Sequence, residues 1–231
     1  MKIAIITAMA EETLPIYAKF GQIKASYTIS GVMVREIETE HHTLYLATSG
    51  IGEIRAALAV QMLADKFKLD AVLNFGFVGA LNANLQVGEL VIAEQVCHYQ
   101  FDISTINKTK LGQYDGTSEV YFKLNKTLLD AVNSKLSTPL RLVKVASGDK
   151  FVAKHKDKEF LRNYFDADIC EMELAGITIA AERNNLSVFS MKVVADKADE
   201  SAAESFEDVL AKGLTKNEEV LPAILDAINS K

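Results

Sequence analysis

The start of the chain leaves little choice of fold. Ile3-Ala4-Ile5-Ile6 is continuously apolar, and with its flanks it reads as a buried strand over Lys2–Met9. A strand without polar alternation is covered on both faces, as strands at the centre of a sheet are. Ala71–Phe77 reads as strand again and Val188–Val194 as a strong buried strand, with further strands read over Val32–Glu40, Thr43–Ser49, Glu89–His98 and Leu142–Ala146. Helical periodicity lies between them. In Glu53–Lys68 the residues Ile54, Leu58, Met62 and Leu63 form an apolar stripe. Asn125–Leu136 has Leu128, Leu129 and Val132 at near-helical spacing, His155–Tyr164 is a short charged helix, and Ser205–Lys212 and Glu218–Ile228 read as closing helices. Strands alternating with helices define an α/β protein. His41-His42 joins two neighbouring strands as a hairpin, so the sheet is expected to be mixed. Ile103–Ser118 is polar and aperiodic and reads as a long loop. No repeat or Pro/Gly-rich linker divides the 231 residues, and one domain over 1–231 is expected.

Charge and composition remove several functions. Lys+Arg number 25 against 31 Asp+Glu, a net charge of −6, and no basic stripe interleaved with aromatics is present. Nucleic acid is therefore not expected as a partner, because phosphate binding needs a basic footprint. A chain that is 49% hydrophobic is too apolar for disorder. No stretch approaches the ~20 apolar residues of a membrane helix; Asn74 interrupts the most apolar region, Ala71–Leu81, and no membrane partner is expected. The first apolar run is too short for a signal-peptide core. Cys97 and Cys170 stand far apart without zinc-ligand spacing, so a disulfide framework and a structural metal are not expected, and a reduced cytoplasmic protein is.

Among the motifs, Ser49-Gly50-Ile51-Gly52 lies between a strand and a helix, but Arg55 stands where a dinucleotide fingerprint needs its third glycine. Gly76-Phe77-Val78-Gly79 reads as a second glycine turn at a strand end. Two such turns suggest a ligand cleft at the carboxyl edge of the sheet. His41 and His42, adjacent on the chain, point to opposite faces and would not chelate one metal; His98 and His155 lack partners at ligand spacing. No GxSxG elbow supports a serine hydrolase. The carboxylates say more. Glu11-Glu12, Glu171 with Glu173, and Asp196 each stand just beyond an apolar segment. Glu11, Glu171 and Glu173 also fit acids that complement a helix dipole. Asp196 fits that less well, being a poor strand residue at the end of a strand. From the pattern alone, a shared carboxylate site and a set of helix-start acids both stand open.

At these residues the chain resembles the 5′-methylthioadenosine/S-adenosylhomocysteine nucleosidases. The resemblance is carried by Met1-Lys2-Ile3-Ala4-Ile5-Ile6-Thr7-Ala8-Met9-Ala10-Glu11-Glu12, then Ser49-Gly50-Ile51-Gly52, Val87-Gly88-Glu89, Ser147-Gly148-Asp149-Lys150-Phe151, Glu171-Met172-Glu173, Val194-Ala195-Asp196 and Ser205-Phe206, in order over nearly the whole length. It implies a three-layer α/β/α sandwich around a mixed central sheet, the nucleoside phosphorylase fold. It further implies a homodimer without metal or organic cofactor, hydrolysing the N-glycosidic bond of adenine thio-nucleosides in methionine salvage. Under the resemblance Glu12 activates water and Asp196 delivers a proton toward N7 of the leaving adenine. Glu173 and Met172 hold the ribose hydroxyls, Phe151 stacks on the purine and the Val152 backbone reads its edge. Ile51, Gly79 and Phe206 complete the nucleoside pocket. The division of labour suits the chemistry: adenine leaves poorly unless protonated, the sugar becomes oxocarbenium-like, and glycoside hydrolysis likewise divides two roles between two carboxyl groups.

The chain also departs from this family. Phe77 and Val78 replace Ser and Ala, Ala195 replaces the Ser before the acid, and near Lys108 the family's aromatic that closes the 5′-substituent pocket is replaced. The loop that usually reads Tyr-His-Asp-Ala-Asp is His98-Tyr99-Gln100-Phe101-Asp102. Two alternatives accompany the nucleosidase reading. One is a phosphorylase, though the phosphate-binding Gly-x-Pro-x-Arg of such relatives is absent from Thr7–Thr13. The other is a nucleoside-binding protein without turnover.

Overall fold

A computed structural model describes residues 1–20, 22–202, 209 and 220–228. The strands are β1 (Lys2–Thr7), β2 (Ile23–Ile29), β3 (Val32–Glu38), β4 (Thr43–Thr48), β5 (Ala71–Ala80), β6 (Leu90–His98), β7 (Phe122–Lys123), β8 (Arg141–Ser147), β9 (Ile169–Glu171) and β10 (Ser187–Asp196). The helices are α1 (Leu14–Phe20), α2 (Glu53–Phe67), α3 (Ser104–Asn107), α4 (Lys126–Lys135), α5 (His155–Phe165), α6 (Leu174–Arg183) and α7 (220–228); a 3₁₀ turn, Glu11–Thr13, precedes α1. No helix among the described residues is long and apolar enough to cross a membrane.

The sheet is mixed. β1 lies parallel to β4 and to β5, and the β2–β3–β4 meander extends from it antiparallel. On the other side β5, β10, β6, β8 and β9 pair in turn, and β9 returns to β5, closing a ring of five strands. The continuous apolar runs occupy the middle: Ile3 to Ile6 and Val72, Leu73 and Phe189 are fully buried. α2 packs on β1 and on α6, while α6 covers β10, β6 and β8.

One detail of pairing makes the cleft. Along one edge β5 is held by β10 from Ala71 to Gly79. Along the other, β1 holds only Ala71–Asn74, and β9 takes over at Gly79–Ala80. The partners diverge around residues 75–78, where the ends of β1 and β9 separate. Gly76-Phe77-Val78-Gly79 is thus not a turn, as its glycines suggest, but part of the ten-residue strand β5. Its glycines serve close approach instead. A Cβ on Gly76 would lie 2.9 Å from Glu12 Oε1, and one on Gly79 would lie 3.0 Å from Asp196 Oδ1.

Other boundaries shift by a few residues, β1 ending at Thr7 and β3 at Glu38. α1, β2, β7 and β9 go beyond the sequence reading. The 103–118 stretch is irregular except for the four-residue α3, and Tyr114 stacks on Phe101 at 3.8 Å to pin it. The helix read over Ser205–Lys212 lies outside the described residues except residue 209, and so does Phe206; 220–228 of the last helix is helical as read.

Candidate active site

Glu12 sits on the 3₁₀ turn just past β1 and is buried. Its Oε2 accepts the N–H groups of Ala8 at 2.8 Å and Met9 at 3.0 Å, and its Oε1 accepts that of Phe77 at 3.3 Å. Burial pushes its carboxyl above the ordinary range, while these backbone donors and the nearby Lys192 ammonium pull the other way. A carboxylate so placed is anchored but basic. Glu11, its neighbour, is exposed.

Asp196 ends β10 across the gap, nearly fully buried. Its Oδ1 accepts the Ala198 N–H at 2.7 Å. Burial raises its pKa to about 6, with Asp199 adding to the effect and the Ala198 N–H opposing it. A carboxyl near this value is protonated in a minor but accessible fraction, roughly a tenth at pH 7, and can release that proton to a base.

Between them the β9–α6 junction supplies two acids with different tasks. Glu171 accepts the N–H groups of Glu173 and Leu174, capping α6, and pairs with Lys192 Nζ at 3.0 Å in a bridge whose side chains are each 1% exposed. Glu171 therefore takes the helix-start role. Glu173 turns away from its helix and accepts the Gly52 N–H at 3.0 Å. Burial, with the Glu171 charge beside it, raises the Glu173 carboxyl above its ordinary range.

Ala8, Met9, Glu12, Ile51, Phe77, Val78, Gly79, Lys150, Phe151, Val152, Cys170, Glu171, Met172, Glu173, Ala195 and Asp196 line one cleft of about 370 Å³. Every site residue singled out from the sequence stands here except Phe206, which is outside the described residues. Phe151 is about half exposed and forms part of the wall, and the Ser147-Gly148-Asp149 turn precedes it. Lys192 escaped the sequence reading. Its one signal was a lysine inside the apolar run Phe189–Val194. Lys108 is exposed at the end of α3 and is not among the lining residues. The histidines stay outside the cleft; His98 Nδ1 meets Tyr114 Oη at 2.8 Å.

Two buried carboxyl groups, Glu12 and Asp196, line one largely apolar cleft on a mixed sheet closed into a ring at one end, and the known proteins identify a chain of this kind as an N-ribosyl hydrolase of the nucleoside phosphorylase fold. The family model of the phosphorylase superfamily matches residues 2–226. The aminodeoxyfutalosine nucleosidase of Campylobacter jejuni is 32% identical over 218 residues, covering 90% of this chain and 91% of that protein. The 5′-methylthioadenosine/S-adenosylhomocysteine nucleosidase of Haemophilus ducreyi is 28% identical and covers 98% of each chain. The structure of the Streptococcus pneumoniae 5′-methylthioadenosine/S-adenosylhomocysteine nucleosidase with a transition-state inhibitor superposes with a TM-score of 0.91 at 30% identity, covering 99% of this chain and 100% of that one. The chain belongs to the phosphorylase superfamily, in its 5′-methylthioadenosine/S-adenosylhomocysteine nucleosidase family.

Proposed function

We propose that this enzyme hydrolyses adenine thio-nucleosides, 5′-methylthioadenosine and S-adenosylhomocysteine, to adenine and the 5-thioribose product in methionine salvage, as one nucleosidase domain over residues 1–231. The observation that carries this is the meeting of Glu12 and Asp196 in one cleft whose lining also includes Phe151 and Glu173. Water enters on the Glu12 side and gives up a proton to that carboxylate as its oxygen bonds to C1′ of the sugar. The N-glycosidic bond breaks, and its electron pair leaves with adenine, whose N7 takes the Asp196 proton. Glu173 receives two ribose hydroxyls, which suits a carboxylate's acceptor capacity. Phe151 stacks on the purine, and the Val152 backbone, Met172, Ile51, Gly79 and Phe206 complete the fit. Phosphate would meet Glu12, Glu171 and Glu173 in the same cleft, and like charge disfavours it.

A second substrate, aminodeoxyfutalosine, is raised by the Campylobacter jejuni relative. The test is a panel of 5′-methylthioadenosine, S-adenosylhomocysteine, adenosine and aminodeoxyfutalosine, with adenine measured by chromatography in phosphate-free buffer. Adenine from the two thio-nucleosides is expected. Turnover of aminodeoxyfutalosine alone would replace the proposed substrate, and an absolute need for phosphate would overturn the water chemistry.

Phe77 and Val78 line the cleft where the family resemblance implies Ser and Ala, so efficiency on 5′-methylthioadenosine should be below that of typical family members. Apolar pockets discriminate single groups by only ~1–3 kcal/mol, so the effect is a reduction rather than a loss. The double change Phe77→Ser with Val78→Ala should raise kcat/KM for 5′-methylthioadenosine. A fall in kcat/KM, at unchanged thermal stability, would show that these side chains do not crowd the site.

A homodimer forms part of the same proposal. Ile51, Ile54 and Leu58 are 50%, 71% and 64% exposed at the start of α2, an apolar row beside the cleft that a second copy can cover. Leu58→Glu should move the protein to monomer mass in light scattering. A wild-type monomer at assay concentration would refute the dimer.

A further inference from the structure

Glu53 opens α2 and is exposed to solvent by only 5%, yet it lines no part of the cleft. Its position looks like an ordinary acid at a helix start, which would face solvent and the dipole. Here the side chain turns inward instead. One oxygen bonds the Ser147 hydroxyl and the other accepts the Gly176 N–H. The Ser147 hydroxyl oxygen in turn accepts the Ala175 N–H at 3.1 Å. The Glu53 N–H donates to Asp149 Oδ1 at 2.8 Å, and the preceding Gly52 N–H donates to Glu173.

Three segments therefore converge on this residue. The turn before α2 carries Ile51, the turn after β8 leads to Phe151 and Val152, and the start of α6 follows Met172 and Glu173. Each brings lining residues to the cleft, and each is tied to Glu53 within a few bonds of them. We propose that Glu53 is a positioning residue for the nucleoside site, its carboxyl holding these three walls in register. The proposal rests on the nucleosidase reading and adds to it a residue that touches no substrate.

The chemistry of the junction favours a neutral carboxyl. Burial, and then the charge of Glu171, push Glu53 well above the ordinary carboxylate range, against the pull of Ser147 and Gly176. Glu173 adds to the upward push from α6. Asp149 faces the Glu53 backbone from beyond β8, Cys97 lies near on β6, Tyr99 and Tyr114 follow β6, and Lys192 on β10 joins through its bridge to Glu171. The Ser147 hydroxyl donates to the carboxyl as it stands; a neutral carboxyl can keep the contact by reversing it, donating to the Ser147 oxygen while accepting from Gly176, and a glutamine amide can do the same. An ionised Glu53 would add a second charge beside Glu171 and Glu173.

The experiment compares Glu53→Gln, Glu53→Ala and Ser147→Ala with wild type on the same nucleoside panel. Glu53→Gln should keep kcat/KM within about threefold. Glu53→Ala should lose ~10²-fold, the scale of a small misplacement of a site wall, with KM rising as well as kcat falling. Loss of stability alone would reduce the active fraction and leave KM unchanged. If Glu53→Ala does not fold, Ser147→Ala, which cuts the bond to Glu53 and the one from Ala175, should still raise KM. Amide exchange should quicken at Gly52 and Gly176 in Glu53→Ala but not in the distant helix α4. Carboxyl ¹³C NMR should find Glu53 neutral at pH 6 and ionising only above neutrality. Equal losses in the Gln and Ala variants, an unchanged KM in Ala, or an ordinary carboxylate titration would each overturn the proposal. A wild type that releases no adenine would sink the nucleosidase reading, while exchange and NMR would still decide whether Glu53 holds the three walls.

Discussion

Glu12→Gln is expected to lower turnover by ~10²–10⁴-fold, the usual contribution of a general base, while nucleoside binding is largely kept. The variant is a fair test because the site can hold it. Glutamine offers one acceptor oxygen where glutamate offers two. Placed toward Ala8 and Met9, that oxygen keeps the two shorter bonds, 2.8 and 3.0 Å, while the 3.3 Å bond from Phe77 is lost and the NH₂ group must turn away from that N–H donor. The amide has no basic lone pair for a water proton, so the chemical step is what fails. Adenine release within a few-fold of wild type would remove Glu12 from the mechanism. A large rise in Kd measured by calorimetry would instead make it a binding residue.

The central strands were legible because β1, β5 and β10 are buried on both faces and their sequences are predominantly apolar, with polar residues such as Asn74 and Lys192 as isolated interruptions. α2 was legible as a helix from the spacing of Ile54, Leu58, Met62 and Leu63, but Ile54 and Leu58 lie on its exposed face, and the buried face is carried by Ala56, Ala59, Val60, Leu63 and Phe67. β2 was not. It is the outer strand of the meander, with burial that alternates between exposed and half-covered, so Lys24, Ser26 and Thr28 dilute its signal. β9 has three residues, too few for any periodicity, although it closes the ring of strands and places Glu171 and Glu173. The end of β5 was misread for a related reason. Glycines there look like a turn locally, and only the approach of Glu12 from the 3₁₀ turn after β1 and of Asp196 from β10 explains them.

The site divides along the same line. Glu12, Asp196 and Glu173 lie in local motifs whose order along the chain is distinctive. Lys192 and Glu53 lie in no such motif. A lysine in an apolar strand and a glutamate at a helix start each have an ordinary local reading, and their partners, Glu171 and Ser147, come from 21 and 94 residues away. Long-range pairing of buried charges follows from the sheet order, which local patterning does not carry. The buried Lys192–Glu171 pair is held between Glu12 and Glu173 for a physical reason: a cation there offsets several carboxyl groups in a region poor in water.

Asp196→Asn should abolish most adenine release, because an amide can donate a hydrogen bond to N7 but cannot transfer a proton. The asparagine oxygen can keep the 2.7 Å bond from the Ala198 N–H, leaving its NH₂ group in the cleft where the other oxygen stood. The expected loss in kcat is ~10²–10⁴-fold on adenine nucleosides. A ribosyl substrate whose leaving group departs without protonation should lose far less. The pH dependence provides a second check. With a pKa of about 6, Asp196 must be protonated to act, so wild-type kcat/KM should decline as pH rises above about 6, and the residual activity of Asp196→Asn should not follow that decline. Stability has a definite sign as well. A carboxyl whose folded pKa is raised keeps the native state's extra proton between its ordinary value and about 6, so its contribution to stability is lost as pH rises through that window. Asp196→Asn should therefore melt higher relative to wild type at pH 8 than at pH 4. If both kinds of substrate fall equally and the pH limb survives the substitution, Asp196 orients the base rather than protonating it, and the proton reaches N7 by another route.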